Sequence, residues 1–352
     1  CSCSRSSRDL CLDIEFAGKI NLTFDVYQRE TDNLLFNPPQ PATAGVALAP
    51  IQNVGMMRNR GIDVSLGYRG SLGDDVLWNV NFNGSHYRNK ILRIDGVQQF
   101  FFGPISTRFG NQVINQVGYP IGSFYGYVAE GFYADAAEAA PFAADGAKPG
   151  RIRFRDANGD GRITLADRTI IGSPHPDFTA GLDLGVRWKA WDFSAAVFGT
   201  FGNEIFDVQK EFYVFRNFAT NVRSDLLTHS WCQAGDAGCV TPNDPNAKYP
   251  RLDLTDAFSR QLSTFYLEDG SYVRLRNLQI GYTLPAAWRR GTRVYVQAEN
   301  LFTITGYPGL DPALGVQNIG GAAGDIRDQY RGVDRGTYPS NRTFSFGLSA
   351  NF

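Results

Sequence analysis

Apolar and polar residues take turns along much of this chain. In "RTFSFGLSANF" (342–352), Phe344, Phe346, Leu348, Ala350 and Phe352 occupy every second position, and Thr343, Ser345, Gly347, Ser349 and Asn351 lie between them. Successive side chains of a strand point to opposite faces, so a period of two predicts a strand with one apolar and one polar face. The same period predicts strands within 20–26, 61–70, 77–85, 178–188, 191–201 and 293–302. Over 271–285 the phase breaks. Val273 and Leu275 lie in one register, Leu278, Ile280 and Tyr282 in the other, and a bulge near Arg276–Asn277 would restore one apolar face.

The connections sort by length. Those at 69–75, 189–192 and 284–292 are short, and those at roughly 90–177, 206–270 and 302–341 are long. Short turns at one end and long loops at the other are the layout of a bacterial outer-membrane β-barrel. No stretch approaches the roughly 18 consecutive apolar residues of a membrane helix. A closed barrel is the other structure that satisfies its backbone in lipid. The apolar faces carry no charge, as a lipid-facing surface requires, because a Lys or Arg there costs about 2–4 kcal/mol. Trp78, Trp188, Trp191, Tyr282, Trp288 and Phe352 fall near strand ends, where interfacial aromatics belong. A soluble sandwich would also alternate, but its loops need not sort in this way.

Composition narrows the function classes. The 352 residues carry a net charge of -1, which excludes a strongly basic nucleic-acid binder. His86, His175 and His229 are far apart and show no metal-ligand spacing. No nucleophile elbow, P-loop or dinucleotide fingerprint occurs, so an enzyme is not expected. Cys232 and Cys239 bracket a polar turn, and a local disulfide and two free thiols are both open readings. Cys1 has the position of a lipid-bearing cysteine, but its surroundings lack a signal-peptide layout.

"DANGDGRITLAD" is the sharpest local motif. Asp156, Asn158 and Asp160 fall at positions one, three and five of a calcium loop. Gly161 sits at the sharp turn, the Arg162 carbonyl at position seven and Asp167 at position twelve. A calcium ion here would stiffen a long loop. A solvated Asx/Gly turn accounts for the same residues.

Seven stretches, in order, resemble the SusC/RagA-type TonB-linked outer-membrane proteins. They are "NVGMMRNRGIDVSL", "YPIGSFYGYVAEGFY", "GRIRFRDANGDGRITLADRTIIGSPHPDFTAGL", "FGTFGNEIF", "LEDGSYVRLRNLQIGYTLP", "VYVQAENLFTITGYPGLDP" and "YPSNRTFSFGLSANF". The resemblance implies an all-β fold: the C-terminal part of a 22-stranded antiparallel transmembrane barrel. About 9–12 strands would fall in 14–352, and residues 1–13 would lie outside the pattern. It implies import of glycan oligosaccharides or peptides across the bacterial outer membrane. The partners would be outer-membrane lipids, a SusD-like lipoprotein and, through a plug and TonB box absent from this stretch, the TonB complex; no nucleic acid is expected. Phe352 resembles the terminal aromatic read by the barrel-assembly machinery. Loop aromatics at Tyr125, Tyr127, Phe132, Phe212, Tyr213, Phe215 and Tyr266 are candidates to stack on ligand, and packing of loops on each other or on the partner lipoprotein is the favoured account of any single one. The alternative function is a surface-exposed, calcium-stiffened binding or adhesion protein without transport. As part of a barrel, the chain should form an open curved sheet with 342–352 on an edge.

Overall fold

The computed structural model describes residues 4–36, 52–53, 55–95, 99–103, 110–215, 221–285, 291–314 and 331–350. Cys1, Trp288 and Phe352 lie outside the described residues. Nine long strands form one sheet: β1 (Ser4–Phe16), β2 (Ile20–Asp32), β3 (Gly55–Leu72), β4 (Val76–Ile94), β5 (Phe178–Trp188), β6 (Trp191–Phe201), β7 (Tyr272–Thr283), β8 (Arg293–Thr305) and β9 (Thr343–Ser349). Each pairs antiparallel with the next in chain order, giving an up-and-down meander. The sheet is open. β1 and β9 are its edges, as expected for the 342–352 stretch.

Register turns nine alternating sequences into two continuous faces. One row across the strands reads Ile14, Leu22, Leu66, Phe82, Leu182, Val197, Leu275, Phe302. A row on the opposite face reads Arg69, Asn79, Gly185, Ser194, Gln279, Gln297, Ser345. The apolar face is not hidden beneath another layer: Leu66, Val296 and Phe346 are 43%, 55% and 74% exposed. Leu72 and Ile62 bound this face on β3. They are about 33 Å apart along the strand at roughly 3.3 Å per residue. At the usual tilt of a barrel strand that is about 25 Å of height, the thickness of a lipid-facing band. Exposed Trp188 and Trp191 mark its short-turn end, where Trp191 packs on Tyr282 at 4.8 Å, and Phe178 stacks on Phe201 at the other end. Gly70 lies under Trp78, where an added Cβ would come within 2.6 Å of the indole.

The phase break resolves as expected. Asn277 pairs with Ala196 and Leu275 with Val197, so Arg276 is an extra residue on β7 relative to β6. On the other side, Asn277 pairs with Glu299 and Leu275 with Phe302. Val273 and Leu275 thereby rejoin Leu278 and Ile280 on the apolar face. The expected boundary after residue 13 has no counterpart in the fold. Ser4–Phe16 pairs with β2 in unbroken register through it, carrying Leu10, Leu12, Ile14 and Phe16 on the apolar face.

The described parts of the long connections are folded. They fold into a layer of their own, with small sheets formed by Phe100–Phe102, Val113–Gln116, Ser123–Gly126 and Thr169–Gly172, and by Glu204–Asp207, Leu267–Asp269 and Val333–Asp334. The main hydrophobic core lies here, around Phe124, Tyr133, Phe154, Phe206 and Val333. Charge pins the layer together. The buried Arg151 guanidinium bridges Asp253 at 2.8 Å and Asp256 at 3.3 Å, and donates to the Gly146 carbonyl. Cys232 and Cys239 are bridged, with Cα atoms 5.6 Å apart. Of the two open readings of that pair, the structure takes the disulfide.

Leu66→Arg, in the middle of the apolar face, should destabilise the full-length protein in lipid vesicles by about 2–4 kcal/mol. Ser65→Arg, one residue along on the polar face, should cost far less. Urea unfolding from vesicles measures both, and equal costs would mean that the apolar face does not meet lipid.

Candidate functional site

The polar face ends, towards the long connections, in a cleft of about 630 Å³. Asp9, Asp25, Tyr27, Arg29, Asn59, Asp63, Tyr87 and Asn89 come from β1 to β4, and Ile121, His175 and Arg331 close it from the loop layer. Strand register assembles it: Asp9 lies opposite Tyr27, Asp25 opposite Asp63, and Gly61 opposite both Tyr27 and Tyr87. At Gly61 an added Cβ would fall 2.7 Å from the Tyr27 hydroxyl, so the absent side chain makes room for that ring.

Hydrogen bonds fix the cleft's walls. Asn89 donates to Asn59 at 2.7 Å and accepts the Ile121 N–H at 2.8 Å, which ties the loop layer to β4. The Tyr87 hydroxyl lies 3.1 Å from His175 Nδ1, and His175 Nε2 lies 2.9 Å from the Ile121 carbonyl. Ser85 donates to Asp63 at 2.5 Å. Directly opposed carboxylates destabilise a sheet pair, so the Asp25–Asp63 juxtaposition favours a ligand that brings donors or positive charge. Carboxylates, amides and two phenols on one surface can hold a hydroxyl-rich or amine-bearing oligomer through hydrogen bonds.

The aromatics singled out in the loops divide. Tyr127, Phe215 and Tyr266 are buried and belong to the loop core. Tyr127 stacks on Phe154 at 5.0 Å, and Tyr266 lies parallel to Phe206 at 5.4 Å, with its one hydroxyl proton shared between acceptors at 2.9 Å (Arg260 carbonyl) and 3.1 Å (Glu211). Phe132 and Tyr213 pack against the same core, and the Tyr213 hydroxyl donates to Asp207. Burial assigns Tyr127, Phe215 and Tyr266 to loop packing, and Phe132 and Tyr213 pack on the same core while only partly buried. Tyr125 is half-buried beside Phe102, and Phe212 is half-buried on the helical turn Lys210–Tyr213. Neither lines the inner cleft.

The Asp156 loop is closed by its own hydrogen bonds. Asp156 accepts from the N–H groups of Gly159 and Gly161 at 2.7 and 2.8 Å, Asn158 from that of Asp160, and Asp160 from that of Arg162. Asp167 is 1% exposed. It accepts from Ala157 N–H at 2.9 Å and Thr164 N–H at 2.7 Å, so both of its oxygens face backbone donors. Among the described residues no three His, Cys, Asp or Glu side chains converge on a metal position. Burial opposes ionisation of Asp167, but the N–H donors of Thr164, Ala157 and Asn158 outweigh it and hold its carboxyl below the usual range.

The cleft residues Tyr27, Asn59, Tyr87 and His175 were not singled out from sequence. Alternation placed Asp25 and Asp63 on the polar face, but only register shows that they oppose each other.

Residues 12–301 match the family described as TonB dependent receptor-like, beta-barrel. TonB-dependent receptor P3 of Formosa agariphila is 33% identical over 355 residues, covering 98% of this chain and 34% of that protein. TonB-dependent receptor SusC of Bacteroides thetaiotaomicron is 26% identical, covering 97% of this chain and 31% of that protein. The solved RagAB peptide transporter has the same fold, with a TM-score of 0.75 at 23% identity over 98% of this chain and 34% of that one. The chain thus spans about a third of the length of the relatives it matches.

Asp167→Ala should remove the acceptor of the Ala157, Asn158 and Thr164 N–H groups, at about 1–3 kcal/mol for each one left buried and unpaired. The expected result is protease cutting between 155 and 168 at neutral pH, where the parent protein resists. The depressed carboxyl stabilises the parent loop above the ordinary Asp range near ~4, and that stability is lost as pH falls through the lower folded value. Parent and variant cutting rates should therefore converge in acid. Equal cutting at pH 7 would remove Asp167 from the loop's closure.

Proposed function

Because the chain belongs to the TonB-dependent receptor β-barrel family, we propose that it builds part of the wall and outer cap of an outer-membrane importer. The supporting observation is the pairing of an exposed apolar band on one face with a polar cleft on the other, roofed by folded loops. In a closed barrel the first meets lipid and the second faces the lumen. The substrate is a glycan oligosaccharide, held at the cleft by Asp25, Asp63 and Asn59 and by the faces of Tyr27 and Tyr87. A peptide is the second reading. The opposed Asp25 and Asp63 favour it, since they suit an amine, and RagAB, which shares the fold, is a peptide transporter.

A SusD-like lipoprotein would sit on the loop layer, where Leu227, Leu252 and Leu254 are exposed. The TonB complex would supply energy through parts of the full-length protein beyond this stretch. Calcium would be an added clamp on the Asp156 loop, held by Asp156, Asn158, Asp160 and the Arg162 carbonyl. Asp167 already closes that loop without it.

Asp25→Asn with Asp63→Asn, and separately Tyr87→Ala, should cut uptake of the labelled substrate by cells carrying the full-length receptor. A lost charged hydrogen bond is worth about 1.5–3 kcal/mol, so roughly tenfold or more is expected. Surface display should not change. Uptake should also vanish without TonB, whereas adhesion alone would survive its loss. Unchanged uptake in both variants would place the cleft off the transport path. Titration calorimetry of the full-length protein with calcium should give a heat that Asp156→Ala abolishes; no heat would leave hydrogen bonds as the loop's sole closure.

A further inference from the structure

Immediately beyond the apolar band, the outer face changes character. Past Val26, Ile62 and His86 the next positions on that face of β2, β3 and β4 are Gln28, Arg60 and Arg88, followed by Glu30, Arg58 and Lys90. The inner cleft uses the residues between them, Asn59, Tyr87 and Asn89, so the same strands present a different surface to each side. Arg58 is engaged, with Glu30 at 2.7 Å. Arg60, Arg88 and Lys90 are exposed and carry no carboxylate partner among the described residues.

These cations line a notch. β5 begins only at Phe178, opposite His86, so β4 runs on above it without that neighbour. Gly118, Pro120 and residues of the 173–177 turn line the notch together with these strands, in a cleft of about 820 Å³ that shares Tyr27, Tyr87, Asn89 and His175 with the inner cleft. Its lining holds Arg58, Arg60, Arg88 and Lys90 against the carboxylates of Asp177 and Glu204. Glu204 is occupied by the Ser173 N–H at 2.8 Å, and the Asp177 carbonyl meets the His86 ring. β3 and β4 are interior strands of the sheet, so the notch does not lie on its open edges at β1 and β9.

We propose that this notch binds the phosphate group of a lipid in the outer leaflet, a phosphorylated glycolipid, whose acyl chains lie along the apolar band below. The proposal rests on the membrane reading above. Two features select a lipid over a free anion. The cations begin two residues past Ile62, which is headgroup height for chains lying against the band. By strand alternation Arg60, Arg88 and Lys90 also share the face of Ile62 and His86, the outer side of the wall. Guanidinium groups of Arg60 and Arg88 suit phosphate oxygens by bidentate donation, and Lys90 adds a point charge.

The experiment uses full-length receptor extracted from outer membranes, with bound lipid counted by native mass spectrometry. Phosphorylated lipid A, dephosphorylated lipid A and inorganic phosphate serve as probes. Arg60→Gln/Arg88→Gln/Lys90→Gln should weaken lipid A binding by about fivefold for each charge removed. Arg60→Lys/Arg88→Lys should retain most of it. Dephosphorylated lipid A should bind the parent protein as weakly as phosphorylated lipid A binds the triple variant, and inorganic phosphate at equal concentration should displace nothing. Equal binding by parent and triple variant would overturn the proposal, as would equal binding of the dephosphorylated lipid or displacement by inorganic phosphate. If the triple variant does not reach the membrane, Lys90→Gln alone gives the same comparison at about fivefold. A parent protein found outside the outer-membrane fraction would instead sink the membrane reading itself.

Discussion

Lipid offers no hydrogen bonds, and every part of this fold follows from that. A strand crossing the bilayer must have both flanks paired, so the stable unit is an antiparallel ladder that closes on itself. Seven of the nine wall strands are satisfied within this chain. β1 and β9 each present one open flank, and those flanks need strands from the rest of the protein. The solvent constraint also sets side-chain chemistry. A wall one sheet thick has no interior to fill, so its apolar side chains remain exposed and its polar ones face a water-filled or ligand-filled lumen.

The hydrophobic core that a soluble domain keeps at its centre is displaced here into the connections. Phe124, Tyr133, Phe154, Phe206 and Tyr266 are nearly inaccessible. They lie in segments that join wall strands and were expected to be long loops. Burying them turns the connections into a rigid roof, tied to the wall through Asn89–Ile121 and by backbone bonds between Ile91 and residues 118 and 119. A roof with its own core can hold a cleft open beneath it, which loose loops could not.

The wall was legible because its code is local. Val64, Leu66 and Tyr68 declare their face by spacing alone, and the break between Leu275 and Leu278 declared a bulge before any register was known. Ser4–Phe16 was missed because charged residues thread through it, although Leu10, Leu12, Ile14 and Phe16 keep the period. The site was less legible because it is made by pairing at a distance. Asp25 and Asp63 are far apart in sequence and adjacent only after β2 pairs with β3. Residue type misled for the loop aromatics: a Tyr that stacks on ligand and one that stacks on Phe206 have the same letter, and only burial separates them. For Asp167, spacing gave a place in a calcium-loop pattern, and only the structure shows its oxygens accepting the Ala157 and Thr164 N–H groups.

The extra residue at Arg276 has a further meaning. An alternating strand is self-similar: moved by two residues along its neighbour, it still shows its apolar side outward, and the same number of pairings forms. Alternation therefore cannot index a hairpin uniquely. A single odd insertion destroys that translational symmetry, because a shifted β7 would set Asn277 or Arg274 against the lipid side of β6. Arg276, with the left-handed backbone of Asn300 at the matching irregularity within the adjoining strand, thus acts as a notch in an otherwise uniform ruler, marking one alignment of the β6–β7–β8 segment.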